Sequence, residues 1–216
     1  MASSLNNEDV ALGPPANVNP LAIKFGKDQR LVTFLYPNAS GTRQIFAIKI
    51  DALKISEAEY HHQISKPVQL VDLSKIFAES SLSLQEQLRR ERMRLFTAGI
   101  TSYEWASFQQ DSIGLIIPTN GQIFSCSIDP QGERDAALNV VYDGSHGDAI
   151  DAHISPSNKA VAFVIERDLY VLDIPEVTSI DRAENICSPV RLTFDGEQSG
   201  ISCGLADFLA QEEMNR

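Results

Sequence analysis

Two adjacent carboxylates near the end of the 216-residue sequence, Glu212 and Glu213, are the side chains best suited to binding a cation. Such a pair can accept charge-assisted hydrogen bonds from an ammonium group, for example the N-terminus of a peptide. Because crowding raises the cost of ionising both acids, a nearby cation would help to keep them charged. Adjacent acids on a helix are ordinarily only surface charge, so the pair alone does not identify a site.

Four arginines lie within six positions of the segment SLSLQEQLRRERMRLF, residues 81–96. Ser83 followed by Glu86 is the capping-box pattern that opens a helix. Helical spacing places Arg90 and Arg94 on one face and allows Glu86 to pair with Arg90. The apolar stripe is thin, so we expect packing to hold this helix weakly. Three interpretations of the arginines stay open: a solvated face, a nucleic-acid contact, or a clamp in which one guanidinium binds a carbonyl or carboxylate.

The pattern G-x-S-x-G around Ser202, which is typical of the nucleophile in triad hydrolases, is a third candidate. A nucleophile elbow follows an apolar strand, whereas residues 195–199 are polar and turn-like. All four histidines precede Ser202, although the triad histidine should follow it. The adjacent His61 and His62 point apart, and no cysteine pair has metal-ligand spacing. We therefore predict no catalytic residue, no metal site and no cofactor in the chain.

The chain has 29 acidic and 18 basic residues, a formal net charge of −11 at pH 7. Binding a nucleic acid needs a concentrated positive surface, so this balance argues against such a partner. No apolar run is long enough to cross a membrane. Residues 1–20 are polar, acidic and rich in proline and asparagine, which predicts a disordered leader and not a signal peptide. We expect the three widely spaced cysteines to be free thiols and the protein to be cytoplasmic.

An internal repeat predicts the fold. In each of three units, an apolar strand and a turn precede a seven-residue strand with an aromatic residue third and isoleucine seventh, at residues 44–50, 122–128 and 168–174. The second and third units are offset by 46 residues, which is the spacing of β-propeller blades. The runs at 100–103 and 150–154 predict the inner strands of two blades. We therefore expect an all-β partial propeller with one inserted helix and a short C-terminal helix; the alternative is a small β-sandwich made of the same hairpins.

The segments that could do chemistry also resemble those of a known family. Residues 204–216, GLADFLAQEEMNR, are similar to the double-glutamate segment of the dipeptidyl peptidase IV family. In its cytosolic members, dipeptidyl peptidases eight and nine, this segment reads roughly G-V-A-T-F-V-x-Q-E-E-F-D-R. Residues 88–105 resemble the arginine segment of these proteins, roughly L-L-R-E-R-K-R-x-G-x-x-G-I-T-S-Y-D. KAVAFVIERDLYVLDI and VRLTF resemble the blade between them, whereas Asp207 and Met214 depart from the usual threonine and phenylalanine.

The resemblance implies a fold, an activity and a site. Members join an eight-bladed propeller to an α/β-hydrolase domain and use a serine to release Xaa-Pro and Xaa-Ala dipeptides from N-termini. By this resemblance, Glu212 and Glu213 bind the α-ammonium of the substrate. The arginine that holds substrate carbonyl groups maps onto Arg94, with Arg92 as the second choice. The expected ligands are peptides with a free N-terminus.

The sequence contains no counterpart of the hydrolase domain. The expected domain plan is therefore a leader over residues 1–20 and an incomplete N-terminal propeller over residues 21–216, with the arginine helix inserted at about 81–96. The missing hydrolase domain is an expected partner, and a homodimer of the parent enzyme is a further candidate. We expect the chain by itself to be inactive. The alternative function is a non-catalytic, propeller-type module for protein interaction.

Overall fold

The computed structural model describes part of the chain, from Asn19 to Leu209. The described residues are 19–26, 31–49, 67–73, 84–92, 98–107, 113–128, 137–174, 188–196, 201–207 and 209. Most of the predicted leader therefore lies outside the described residues, and the first strand begins at Leu21. No helix among the described residues is long and apolar enough to span a membrane.

The described residues form three four-stranded antiparallel sheets, which confirms the predicted all-β fold. Sheet 1 contains β1 (Leu21–Phe25), β2 (Leu31–Pro37), β3 (Arg43–Lys49) and β4 (Val68–Val71). Sheet 2 contains β5 (Glu104–Ser107), β6 (Ile113–Thr119), β7 (Gln122–Ile128) and β8 (Ala137–Tyr142). Sheet 3 contains β9 (Ala149–Ile154), β10 (Ala160–Ile165), β11 (Asp168–Asp173) and β12 (Val190–Arg191). The helix α1 (Leu84–Arg92) lies in the chain between sheets 1 and 2.

Each sheet is a meander in which every strand pairs with its neighbour in sequence. The three predicted hairpins are β2–β3, β6–β7 and β10–β11. The turn between β6 and β7 has positive φ at Asn120 (50°) and Gly121 (73°), as the Asn-Gly signal for a type I′ turn predicts. A Cβ on Gly121 would lie 2.3 Å from a carboxylate oxygen of Asp148, so the turn also needs the absence of a side chain there.

The middle sheet is buried on both faces. Because side chains alternate along a strand, Leu115 and Ile117 of β6 pack toward sheet 1 while Ile116 packs toward sheet 3. One apolar cluster thus joins sheets 1 and 2, and a second joins sheets 2 and 3. Three sheets stacked face to face are consistent with part of a propeller, whereas a β-sandwich has two.

Of the two runs predicted to be inner strands, one is a strand and the other is not. The run at 150–154 lies within β9. The run at 100–103 is not a strand, since β5 begins at Glu104. Instead, the backbone N–H of Ile100 donates to the carbonyl of Arg43 at 3.0 Å, and the side chain of Ile100 is fully buried between sheets 1 and 2. Ile100 and Tyr103 are therefore buried as part of the core between sheets 1 and 2, and not as residues of a strand.

The predicted C-terminal helix is described only in part. Residues 201–207 form bends and irregular backbone, and Leu209 has helical backbone. The remainder of the prediction, including both glutamates, lies outside the described residues.

Removing either face of the middle sheet should destabilise the protein. We expect Ile116→Ala and Ile117→Ala each to lower the free energy of unfolding by about 2–5 kcal/mol, because each leaves a cavity in a different core cluster. Val140→Ala on β8, where the side chain is 47% exposed, is the control and should change it by less than about 0.5 kcal/mol. Urea titrations followed by the fluorescence of the single tryptophan measure the difference. A core variant as stable as the control would contradict burial of that face.

Candidate functional site: helix α1 and the segment at residues 201–207

Polar contacts, more than apolar packing, hold helix α1. Of its two described leucines, Leu84 is 70% exposed and Leu88 is 39% exposed, so neither is fully buried. The guanidinium of Arg90 is buried and donates to Glu86 at 2.8 Å, which confirms the predicted pair, and to the carbonyl of Gly99 at 3.3 Å. The predicted cap at Ser83 lies outside the described residues.

Arg89 connects α1 to sheet 3. Its Nη2 atom lies 3.0 Å from the carboxylate of Asp151 in β9, and its Nη1 atom lies 3.7 Å from Glu86. Only 14% of the Arg89 side chain is exposed. The interpretation of the arginines as a solvated face therefore does not hold for Arg89 and Arg90, which serve as structural cations.

A histidine extends this network along the surface. His153 Nδ1 lies 2.8 Å from Glu104, and its Nε2 lies 3.6 Å from Asp151. The nearby carboxylates of Asp151 and then of Glu104 raise the pKa of His153 to about 10. His153 in turn lowers the pKa of Asp151. Burial pushes the pKa of Glu104 upward, but hydrogen bonds from His153 and the N–H of Ile154 outweigh it and lower the pKa overall.

A pocket of about 190 Å³ lies where α1 meets the hairpin β10–β11 and residues 201–207. It is lined by both charged and apolar side chains: Leu88, Arg89, Arg92, Ile150, Glu166, Arg167, Ser202 and Leu205. Arg92, one of the predicted site residues, thus faces the segment that leads toward the glutamate pair. Glu212, Glu213 and Arg94 lie outside the described residues, so their roles stay predictions.

The segment at 201–207 is held against sheet 3. The N–H of Cys203 donates to the carbonyl of Arg167 at 2.8 Å. Gly204 has φ +88° and lies so close to sheet 3 that an added Cβ would be 2.9 Å from Val164. A side chain at Gly204 would therefore push this wall of the pocket away from the sheet.

Asp168 fixes the chain that enters this segment. Its buried carboxylate accepts hydrogen bonds from Thr193 Oγ1 at 2.8 Å and from the N–H of Gly196 at 3.2 Å, and it forms an ion pair with Arg191. Strand β12 and residues 192–196 are thereby tied to the start of β11. The pocket wall begins at Ser202, a few residues further along the chain.

Ser202 is exposed, and residues 201–207 around it form bends and irregular backbone. Residues 197–200, where the strand before a nucleophile elbow would lie, are outside the described residues. Sequence reasoning missed Glu104, Asp151 and Arg167 as residues of this region. The sequence does place two titratable residues, Asp151 and His153, two positions apart on one predicted strand. This pattern is too common to identify a site.

One comparison with known proteins bears on this region. Residues 124–216 match the family model described as the dipeptidyl peptidase IV N-terminal region. The match includes most of β7, all of sheet 3 and the segment at 201–207, and it supports the resemblance over these residues. Sheet 1 and α1 lie outside the matched range.

The charge of His153 should make stability depend on pH. A pKa raised from 6.5 to about 10 means that the imidazolium stabilises the fold fully below pH 6.5 and loses this effect as the pH rises toward 10. We expect His153→Gln to lower the free energy of unfolding most at pH 6, and the difference from wild type to shrink steadily up to pH 10. Urea titrations at both pH values check this. A difference that stays constant across that range would show that His153 is not held in its charged form.

Proposed function

We propose that the chain is the propeller part of a cytoplasmic, serine-type dipeptidyl peptidase that acts on peptides with proline or alanine second. In this proposal, Glu212 and Glu213 bind the α-ammonium of the substrate. Arg94, or Arg92 in its place, binds a substrate carbonyl group. The catalytic serine belongs to a hydrolase domain that works together with this propeller.

The observation that carries the proposal is the pocket shared by Arg92 and the segment at 201–207. Leu205 precedes Glu212 by seven residues, so the chain allows at most about 25 Å between them, and about 10 Å if it is helical. Arg94 is two residues beyond Arg92 and lies within about 7 Å of it along the backbone. Chain length therefore permits the predicted anion pair and the predicted arginine to reach one pocket, which supports the proposal.

The chemistry suits the free end of a peptide. Two carboxylates can each accept a hydrogen bond from one ammonium group, and the planar guanidinium can donate to a carbonyl oxygen. Fixing both the ammonium and the carbonyl sets the distance from the chain end to the bond that is cut. The chain then supplies recognition and the hydrolase domain supplies the nucleophile.

The glutamate pair provides the direct test. The 216-residue chain should bind a Gly-Pro-Ala peptide with a free N-terminus and should not bind the N-acetylated peptide, measured by isothermal titration calorimetry. We expect the double variant Glu212→Gln, Glu213→Gln to weaken binding at least tenfold, because charged hydrogen bonds contribute about 1.5–3 kcal/mol each.

Asp173→Asn, an exposed acid at the end of β11, is the matched control and should leave the affinity unchanged. Equal binding of the free and acetylated peptides would overturn the proposal, as would a double variant that binds like wild type. Release of a Gly-Pro reporter by the chain alone would contradict the assignment of the nucleophile to another domain.

A further inference from the structure

Strand β9 is irregular at Asp151. Ile150 pairs with Val164 and His153 pairs with Ala162, so Asp151 and Ala152 together lie opposite a single residue of β10. This is a β-bulge, and φ at Asp151 is +56°. Side chains other than glycine, asparagine and aspartate rarely adopt this left-handed conformation, and here it occurs inside a strand.

The bulge changes the direction in which the Asp151 side chain projects. Bulges commonly redirect a side chain beside a functional site. Here one carboxylate oxygen of Asp151 lies 3.0 Å from the guanidinium of Arg89 in α1, and the second oxygen lies 3.6 Å from His153. With 31% of its side chain exposed, Asp151 is half-buried at this contact.

Helix α1 depends on such contacts for its position. Leu84 is 70% exposed and Leu88 is 39% exposed, so the two described leucines bury only part of their apolar area against the rest of the protein. Arg92 lies three residues beyond Arg89, on the same side of the helix, and both line the pocket together with Ile150. A contact that fixes Arg89 therefore also fixes where Arg92 lies relative to residues 202–205.

We propose that Asp151 is a positioning residue, which uses the bulge in β9 to hold Arg89 and so places Arg92 at the peptide-binding pocket. The part played by Arg92 rests on the proposed function. The part played by Asp151 in holding α1 does not.

Asp151→Asn removes the charge of the side chain without straining the backbone, because asparagine also tolerates the left-handed conformation. In the 216-residue chain we expect the amides of α1 to exchange with deuterium at least tenfold faster in this variant, while those of β10 and β11 change much less. The affinity for the free Gly-Pro-Ala peptide should fall at least threefold. Asp173→Asn is again the control.

Two further variants keep the test decisive. Asp151→Gly removes the carboxylate and also allows the positive φ without strain, so its α1 amides should exchange as fast as those of Asp151→Asn. If the α1 amides of the glycine variant exchange at the wild-type rate, only the backbone conformation matters and the proposal is overturned. Arg89→Lys keeps the positive charge and should restore slow exchange relative to Arg89→Gln. If Asp151→Asn fails to fold, this arginine pair decides the question.

Failure of the two proposals can be told apart. If wild type does not bind the peptide, the proposed function fails while the exchange rates still decide the role of Asp151. If wild type binds the peptide and α1 exchanges equally slowly in Asp151→Asn and Arg89→Gln, the positioning role fails alone.

Discussion

Burial of both faces of the middle sheet is the constraint on which the rest of the structure depends. Strand β6 places alternate side chains in two different cores, so sheets 1 and 3 must pack on opposite faces of sheet 2. Stacked sheets lie about 10 Å apart, which brings the hairpin ends of neighbouring sheets close enough for one short helix to contact several of them. Helix α1 does so, since Arg90 donates to the carbonyl of Gly99 and Arg89 pairs with Asp151 of sheet 3.

Electrostatics then decides how α1 is held. Glu86 pairs with both Arg89 and Arg90, and Arg89 also pairs with Asp151. Buried ion pairs cost desolvation and are kept where their geometry fixes an arrangement. Arg43 adds to the local positive charge, and burial together with the charge of Arg90 lowers its pKa. Although the chain has a net charge of −11, three arginines, Arg89, Arg92 and Arg167, line the pocket.

In the proposed function, this arrangement serves to recognise a peptide end. The pocket joins a helix from the insertion to a segment in the range that matches the dipeptidyl peptidase IV N-terminal region. In the proposed function, the two parts read opposite groups of one peptide end, the ammonium and a carbonyl. How precisely the peptide end is positioned then depends on how firmly the helix and the segment at 201–207 are held to sheet 3. Two contacts hold them there: the backbone hydrogen bond from Cys203 to Arg167, and the ion pair between Arg89 and Asp151.

The amino-acid sequence by itself determined the hairpins, their order and the pair Glu86–Arg90, because turn chemistry, alternation and helical spacing act over a few residues. It did not determine the start of β5, since Ile100 and Tyr103 just before it are buried in the core without forming a strand. Nor did it predict that Arg89 meets Asp151, since these residues are 62 positions apart. That contact and the shared pocket arise only when three sheets stack and β9 bulges. Tertiary packing decided them, because no local rule relates an inserted helix to a strand two sheets away.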